Sequence, residues 1–326
     1  MSSNESENSR GGMKPPRFKS KIGGQALIEG IMMRGIDREC MAVRLPDGSI
    51  DVEEKMLPKA KWVQRCPFVR GPVNFVTTLV SGYKYISRSA DKSMQQLEEE
   101  PSRFEKWLEE KLGDKLMGII MGIAGVLGVA LAIGLFVYLP ALTVKGLSLL
   151  IPALGEIDFL KNILEGFIKI AIFIAYIWLT SLLKDIRRTY EYHGAEHKTI
   201  TCYEAGDEVT VENVRKYKRF HPRCGTSFMF LVLFISIFVN SVFMLPWDAV
   251  WLRAILKLCV LPVVVAIAYE LIKLAGRYDN ILTKIISAPG LWIQRLTTRE
   301  PDDSQIEVAI AAFLPCVPED RESDRW

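Results

Sequence analysis

The sequence predicts a mainly α-helical, polytopic membrane bundle of about four spans, with small cytosolic N- and C-terminal segments that include a β-hairpin. Three observations carry this. Long uncharged apolar runs gather in the middle of the chain, while both ends are polar. Basic residues crowd onto one set of connections between those runs. Short apolar runs broken by turn residues precede the first long one.

Residues 1–20 are rich in Ser, Asn and Glu and read as a disordered tail. The tail has no apolar signal core, so the first span is expected to act as an internal signal. Residues 21–115 form a cytosolic block. In Lys21–Gly35, four glycines predict turns and close backbone approaches rather than a regular helix. Met41–Leu45 and Ile50–Met56 flank Pro46-Asp47-Gly48-Ser49, a hairpin signal. The apolar stretch 69–86 is bounded by Arg70 and Lys84 and is too short to span, which suits an interfacial or packed helix. Ser102 and Glu105 make a capping-box pattern before Phe104, Trp107, Leu108 and Leu112, which share one face of a surface helix.

The membrane domain covers 116–274, with spans at about 116–140, 163–183, 225–245 and 254–274. Leu116–Val144 carries no charge and is closed by Lys115 and Lys145. At about 1.5 Å per residue it exceeds the roughly 30 Å hydrocarbon core. Glu165 and Lys169, four apart in the second span, could neutralise each other or snorkel. The fourth span is weaker, because Lys257 and Glu270 lie within it. The 184–224 loop carries Lys184, Arg187, Arg188, Lys198, Arg215, Lys216, Lys218, Arg219 and Arg223, against Lys145, Lys161 and Arg253 on the other side. The positive-inside bias therefore predicts a cytosolic loop and cytosolic termini, with Trp247 and Trp251 in the outer aromatic belt. Residues 275–326 read as a cytosolic segment packed on the rest or on the membrane. Ser304 and Glu307 are its predicted helix cap, and the helix ends near Leu314-Pro315.

Composition excludes several classes. A net charge of +3 without a basic, aromatic-laced stripe argues against nucleic acid. Six scattered cysteines form no disulfide framework. No internal repeat and few mid-span charges argue against a transporter. The expected partners are the bilayer and anionic lipid headgroups, the latter through the 215–219 basic cluster.

All three histidines lie between the second and third spans. His193 and His197 are four apart and share a helix face, and Glu196 stands beside them in an H-x-x-E-H spacing. In that spacing two imidazoles can grip a metal while the carboxylate acts as general base. His221 and Cys224 follow in an H-x-x-C spacing and offer further ligands. Zinc suits this mixture of nitrogen and sulfur donors. Four protein ligands would make the site structural, and three plus water would make it catalytic. Gly194 counts against the helix, because glycine there costs about 1 kcal/mol relative to alanine. Gln25, Glu29, Arg34 and Glu270 are further candidate polar-site residues, each with a plain anchoring or solvated alternative, and Cys202 is a weaker candidate ligand.

The blocks Gly23-Gly-Gln-Ala-Leu-Ile-Glu-Gly-Ile-Met-Met-Arg-Gly35, Tyr192-His-Gly-Ala-Glu-His-Lys198, His221-Pro-Arg-Cys-Gly-Thr-Ser-Phe228 and Pro289-Gly-Leu-Trp-Ile-Gln-Arg-Leu-Thr-Thr-Arg-Glu-Pro-Asp-Asp303 resemble those of the bacterial DUF1385 (YqhQ-like) family. The resemblance implies a multi-pass protein of the bacterial plasma membrane, expected to be metal-dependent, and supplies no substrate. Inverted zincins take a downstream glutamate as third ligand, whereas here His221 and Cys224 stand in that place. Two functions are therefore weighed. One is a zinc-dependent hydrolase acting at the membrane surface. The alternative is a non-catalytic assembly or scaffold factor with a structural metal, for example a partner of secretion or insertion machinery.

Overall fold

The computed structural model describes residues 18–59, 61–94, 116–243, 246–278, 280–320 and 322–325. Residues 1–17 of the expected tail and the surface helix around Phe104 lie outside the described residues, whereas the last three tail residues are ordered: Phe18 packs edge-on against Tyr203, and the buried Ser20 donates its hydroxyl to Asp324 at 2.7 Å.

The chain begins with a four-stranded antiparallel meander of β1 (Gly23–Leu27), β2 (Gly30–Arg34), β3 (Arg38–Arg44) and β4 (Ile50–Met56). The expected hairpin is β3–β4, with Gly48 in the turn at φ +85°. The glycine-rich block supplies β1 and β2, which no alternating pattern announced. Its run Ile31-Met32-Met33 hid the period of two because both faces are covered. Ile31, Met33, Cys40 and Ala42 face one core, and Met32, Met41 and Val43 pack with Leu27 and Tyr85 on the other side. The helix α1 (Arg70–Met94) supplies Tyr85, whose hydroxyl donates to the buried Glu39 at 2.7 Å.

Among the described residues, four helices are long and apolar enough to cross a membrane. The first, α2, runs as Leu116–Ile133, a π-helical segment Gly134–Tyr138 and Leu139–Leu150. Lys145 therefore lies within the helix and does not close it. The others are α3 (Asp158–Thr180), α6 (Gly225–Val242) and α7 (Val250–Arg277).

The charges inside the spans are not scattered. Glu165 and Lys169 do not neutralise each other. Glu165 of α3 instead accepts from Arg253 at 2.7 Å and from Lys257, both on α7, and Asn162 accepts from Arg253 at 2.6 Å. All of these side chains are buried, as is Lys169. The Arg253 guanidinium lies over Trp247, its Cζ 3.7 Å from the ring centroid, and Trp251 is exposed. The premise that the spans carry few interior charges therefore fails, because residues far apart in sequence bring theirs to one place. Charges removed from both water and lipid persist only when they meet. Glu270 is likewise not merely solvated. It accepts from Arg70 at 2.8 and 2.5 Å and from the Phe68 N–H at 3.1 Å, tying α1 to α7.

The predicted 184–224 loop is mostly a helix. The α4 helix (Lys184–Glu204) is buried over much of its second half and packs on β1, β2 and the C-terminal helix. A short α5 (Val211–Arg215) follows. Arg215 pairs with Asp303 and Lys216 with Glu212 at 3.5 Å, so this part of the basic cluster answers protein carboxylates. The amphipathic α8 (Ile281–Thr297) lies against α6 and α7. The last helix, α9 (Asp303–Phe313), is capped by Asp302 with Gln305, not by Ser304 with Glu307. Asp302 wins because its carboxylate sits one residue before the helix and accepts the Gln305 N–H at 2.9 Å. Glu307 reaches Arg44 at 2.7 Å instead.

Replacing Glu165 by Leu removes the carboxylate that two buried cations share, and is expected to cost about 3–5 kcal/mol. The triple variant Glu165→Leu/Arg253→Met/Lys257→Met is expected to recover most of that loss. Thermal unfolding of the purified protein checks both; equal stability of the single variant and the parent would dismiss the cluster as a structural tie.

Candidate metal centre

Helix α4 brings His193 and His197 to one face, as the four-residue spacing requires, with ring centroids 4.4 Å apart. Gly194 between them is the apparent weakness of this helix and the reason it fits. A Cβ there would lie 2.0 Å from the Arg299 carbonyl oxygen. The strand-like exit of α8 crosses α4 at this point, with the Arg299 N–H donating to the Tyr190 carbonyl at 2.8 Å. Only glycine allows that approach.

Cys224 enters from the other direction. It is the N-cap of α6, and its sulfur accepts the Thr226 N–H at 3.4 Å. Its Sγ lies 3.1 Å from His193 Nε2. The ligand atoms of His193, His197 and Cys224 all lie within 4.8 Å of one another. Zinc–nitrogen and zinc–sulfur bonds of about 2.0–2.3 Å at tetrahedral angles place such atoms about 3.5 Å apart, so the triad fits one ion.

The histidine orientations support the same fit. His193 Nδ1 donates to the Thr297 carbonyl at 2.8 Å, and His197 Nδ1 donates to the Arg219 carbonyl at 2.6 Å. A carbonyl oxygen can only accept, so both Nδ1 atoms carry protons and both Nε2 atoms are left to bind. Burial by itself would raise the Cys224 thiol, but the two imidazoles beside it prevail and hold it well below the usual thiol range. Burial opposes charge on His193, yet Cys224 and Glu196 together push it up to about 9. The site thus stores a thiolate next to a proton that a metal would displace.

Glu196 lies under β1. Burial raises its carboxyl above the ordinary range, against the pull of the two imidazoles, and it accepts the Gly24 N–H. A Cβ on Gly24 would come within 3.0 Å of the Glu196 carboxyl carbon, so the glycine lets the strand pass over it. Its Oε2 is buried and has no hydrogen-bond partner among the described residues.

His221 does not join the triad. Its ring stands 5.6 Å from that of His197, but its Nε2 faces Glu204 Oε2 at 3.5 Å, and its backbone N–H donates to Gln294 at 2.8 Å. Burial keeps His221 below its usual value. Glu204, whose burial would raise it, is lowered by His221 and Arg223, both of which it binds. Cys202 points to the Glu208 carbonyl at 3.5 Å and is also outside. The remaining candidates act as anchors elsewhere. Glu29, at φ 50° in the β1–β2 turn, accepts from Arg188 at 2.7 Å and from the Tyr192 hydroxyl at 3.2 Å, which ties the sheet to α4. Gln25 packs its amide on α1 at Gly82. Arg34 pairs with Glu39 at 3.1 Å and lines a cavity of about 890 Å³ that contains none of the triad.

The supporting residues were harder to foresee. Gln294 grips the backbone of His221 at both its N–H and its carbonyl and also donates to Ser227 at 3.0 Å. Thr297 orients His193, and Glu300 pairs with the buried Lys198. All lie in the Pro289–Asp303 block, whose sequence shows no metal-binding pattern.

The sequence pattern of a family described as "Protein of unknown function (DUF1385)" matches residues 66–319. The uncharacterized protein YqhQ of Bacillus subtilis (strain 168) is 34% identical over 304 residues, covering 92% of each chain. No solved structure matches.

Gly194→Ala is expected to destabilise the protein by more than about 2 kcal/mol, against the small gain that alanine brings to an unobstructed helix. A melting temperature equal to or above the parent's would contradict the crossing geometry.

Proposed function

The chain belongs to the DUF1385 family, described only as of unknown function, and from the geometry of its own site we propose a zinc-dependent hydrolase working at the membrane boundary. The observation that carries this reading is the combination of three convergent donors with one carboxylate held back. His193, His197 and Cys224 would hold the ion, and His221 is engaged elsewhere. Three protein ligands leave one position for water or substrate, the arrangement of catalytic rather than structural zinc. Bound there, zinc would supply Lewis acidity to a substrate carbonyl or phosphoryl group and acidity to water.

Glu196 takes the general-base role. Its unpartnered Oε2 accepts a proton from the attacking water and returns it to the leaving group, so the carboxylate is regenerated at the end of the cycle. The Thr297 and Arg219 carbonyls keep the imidazoles turned inward throughout. Cys224 stands at the head of a spanning helix, which supports a substrate presented at the bilayer surface. The nine basic residues of 184–223 support placing this face in the cytosol of a bacterial plasma membrane.

Purified full-length protein is expected to carry about one zinc per chain, with two nitrogen, one sulfur and one light-atom donor by X-ray absorption, and His193→Ala is expected to lose the metal. Glu196→Gln is expected to keep the metal and to lower turnover of a chromogenic p-nitrophenyl ester by at least about a hundredfold. Four protein donors, with turnover unmoved by Glu196→Gln, would turn the site into a clasp and favour the scaffold alternative.

A further inference from the structure

A second feature adjoins the triad. A cleft of about 240 Å³ opens between α1, α6 and α7, and Cys224 forms part of its wall. Phe75 of α1, Phe228 of α6, and Tyr269 and Ile272 of α7 make its apolar lining. Its floor is open at Gly225, where a Cβ would meet nothing within 4 Å. Leu79, four residues after Phe75 and so on the same face of α1, is exposed. Two of the three helices around the cleft, α6 and α7, are long and apolar enough to cross a membrane, so a chain entering between them comes from lipid rather than from water.

The polar end of the cleft is cationic. Arg223 and Lys273 line it. Arg223 is engaged with Glu204, and nearby Arg70 is matched by Glu270. Lys273 has no ion-pair partner among the described residues, so the rim carries one net positive charge. The volume is below the roughly 300–1,000 Å³ of a whole small-molecule pocket. It suits a head group and the first carbons of a chain whose remainder stays in the bilayer.

We propose that this cleft binds a lipid phosphate, with the phosphate at Lys273 and Arg223 and the acyl stem against Phe75, Phe228 and Ile272. That this lipid is also the substrate rests on the metal-centre reading above. The phosphate and the bonds nearest it would then lie beside Cys224, within reach of the triad. A soluble phosphorylated metabolite would leave the apolar wall unused, and a neutral lipid would leave Lys273 without an anion.

The test is native mass spectrometry of the full-length protein in detergent, titrated with 16-carbon lysophosphatidic acid, with 16-carbon monoacylglycerol and with inorganic phosphate. Lysophosphatidic acid is expected to bind at least tenfold more tightly than monoacylglycerol, and inorganic phosphate is not expected to compete. Lys273→Met is expected to weaken lysophosphatidic acid at least fivefold and to leave monoacylglycerol unchanged. Ile272→Trp, which fills the cleft away from the ligands, is expected to weaken both. Equal binding of the two lipids, competition by inorganic phosphate at equal concentration, or indifference to both variants would overturn the proposal. Zinc measured in the same samples separates the two readings. Selective lipid binding by a zinc-free protein would leave the lipid site standing and remove the hydrolase, whereas a zinc-loaded protein with no lipid preference would do the reverse.

Discussion

Burying a polar helix constrains everything around it. The second half of α4 carries Glu196, His197, Lys198, Thr199 and Glu204, all nearly excluded from solvent. Each such group costs several kcal/mol if left without a partner. The structure answers them one by one. His197 reaches the Arg219 carbonyl, Lys198 reaches Glu300, Thr199 folds back to the Ala195 carbonyl, and Glu204 takes Arg223 and the Ser20 N–H. Glu196 retains an oxygen without a partner, and it stands beside the three metal-type donors. Of the buried side-chain atoms without a hydrogen-bond partner among the described residues, it is the carboxylate oxygen, an acceptor placed where chemistry would use it.

The same constraint explains why distant parts of the chain meet here. The sheet covers α4 on one side and contributes Gly24 above Glu196. Helix α9 covers it on another, with Gln305 donating to Glu191 at 3.0 Å. The exit of α8 passes over Gly194 and supplies the Thr297 carbonyl to His193. The spanning helix α6 delivers Cys224 from its first residue outward. The site is therefore a junction between the polar layer and the bundle of apolar helices, and the cleft opens on the side of Cys224 where that junction meets α1 and α7.

Much of this was legible. Spans read well because a long, predominantly apolar run of about twenty residues has few other uses. The His193–His197 pair read well because helical geometry is local. Other features were read incorrectly or not at all. His221 looked equivalent to Cys224 from spacing alone, yet Glu204, seventeen residues earlier, takes its ring nitrogen. The 184–224 segment looked like a loop because its polarity is that of a surface, while its partners lie more than a hundred residues away at Glu300 and Gln305. Gly194 looked like a flaw in a helix until the carbonyl that occupies its missing side chain was in view.

The sequence by itself determined the number and order of the apolar helices, the β3–β4 hairpin and the shared face of two histidines. Each depends on hydropathy, turn chemistry or periodicity over a few residues. Tertiary structure alone decided which third donor completes the cluster, how Glu165 meets Arg253 and Lys257, and which carboxylate oxygen is left without a partner. Those outcomes depend on distances between segments tens to hundreds of residues apart, and packing sets such distances where no local pattern can.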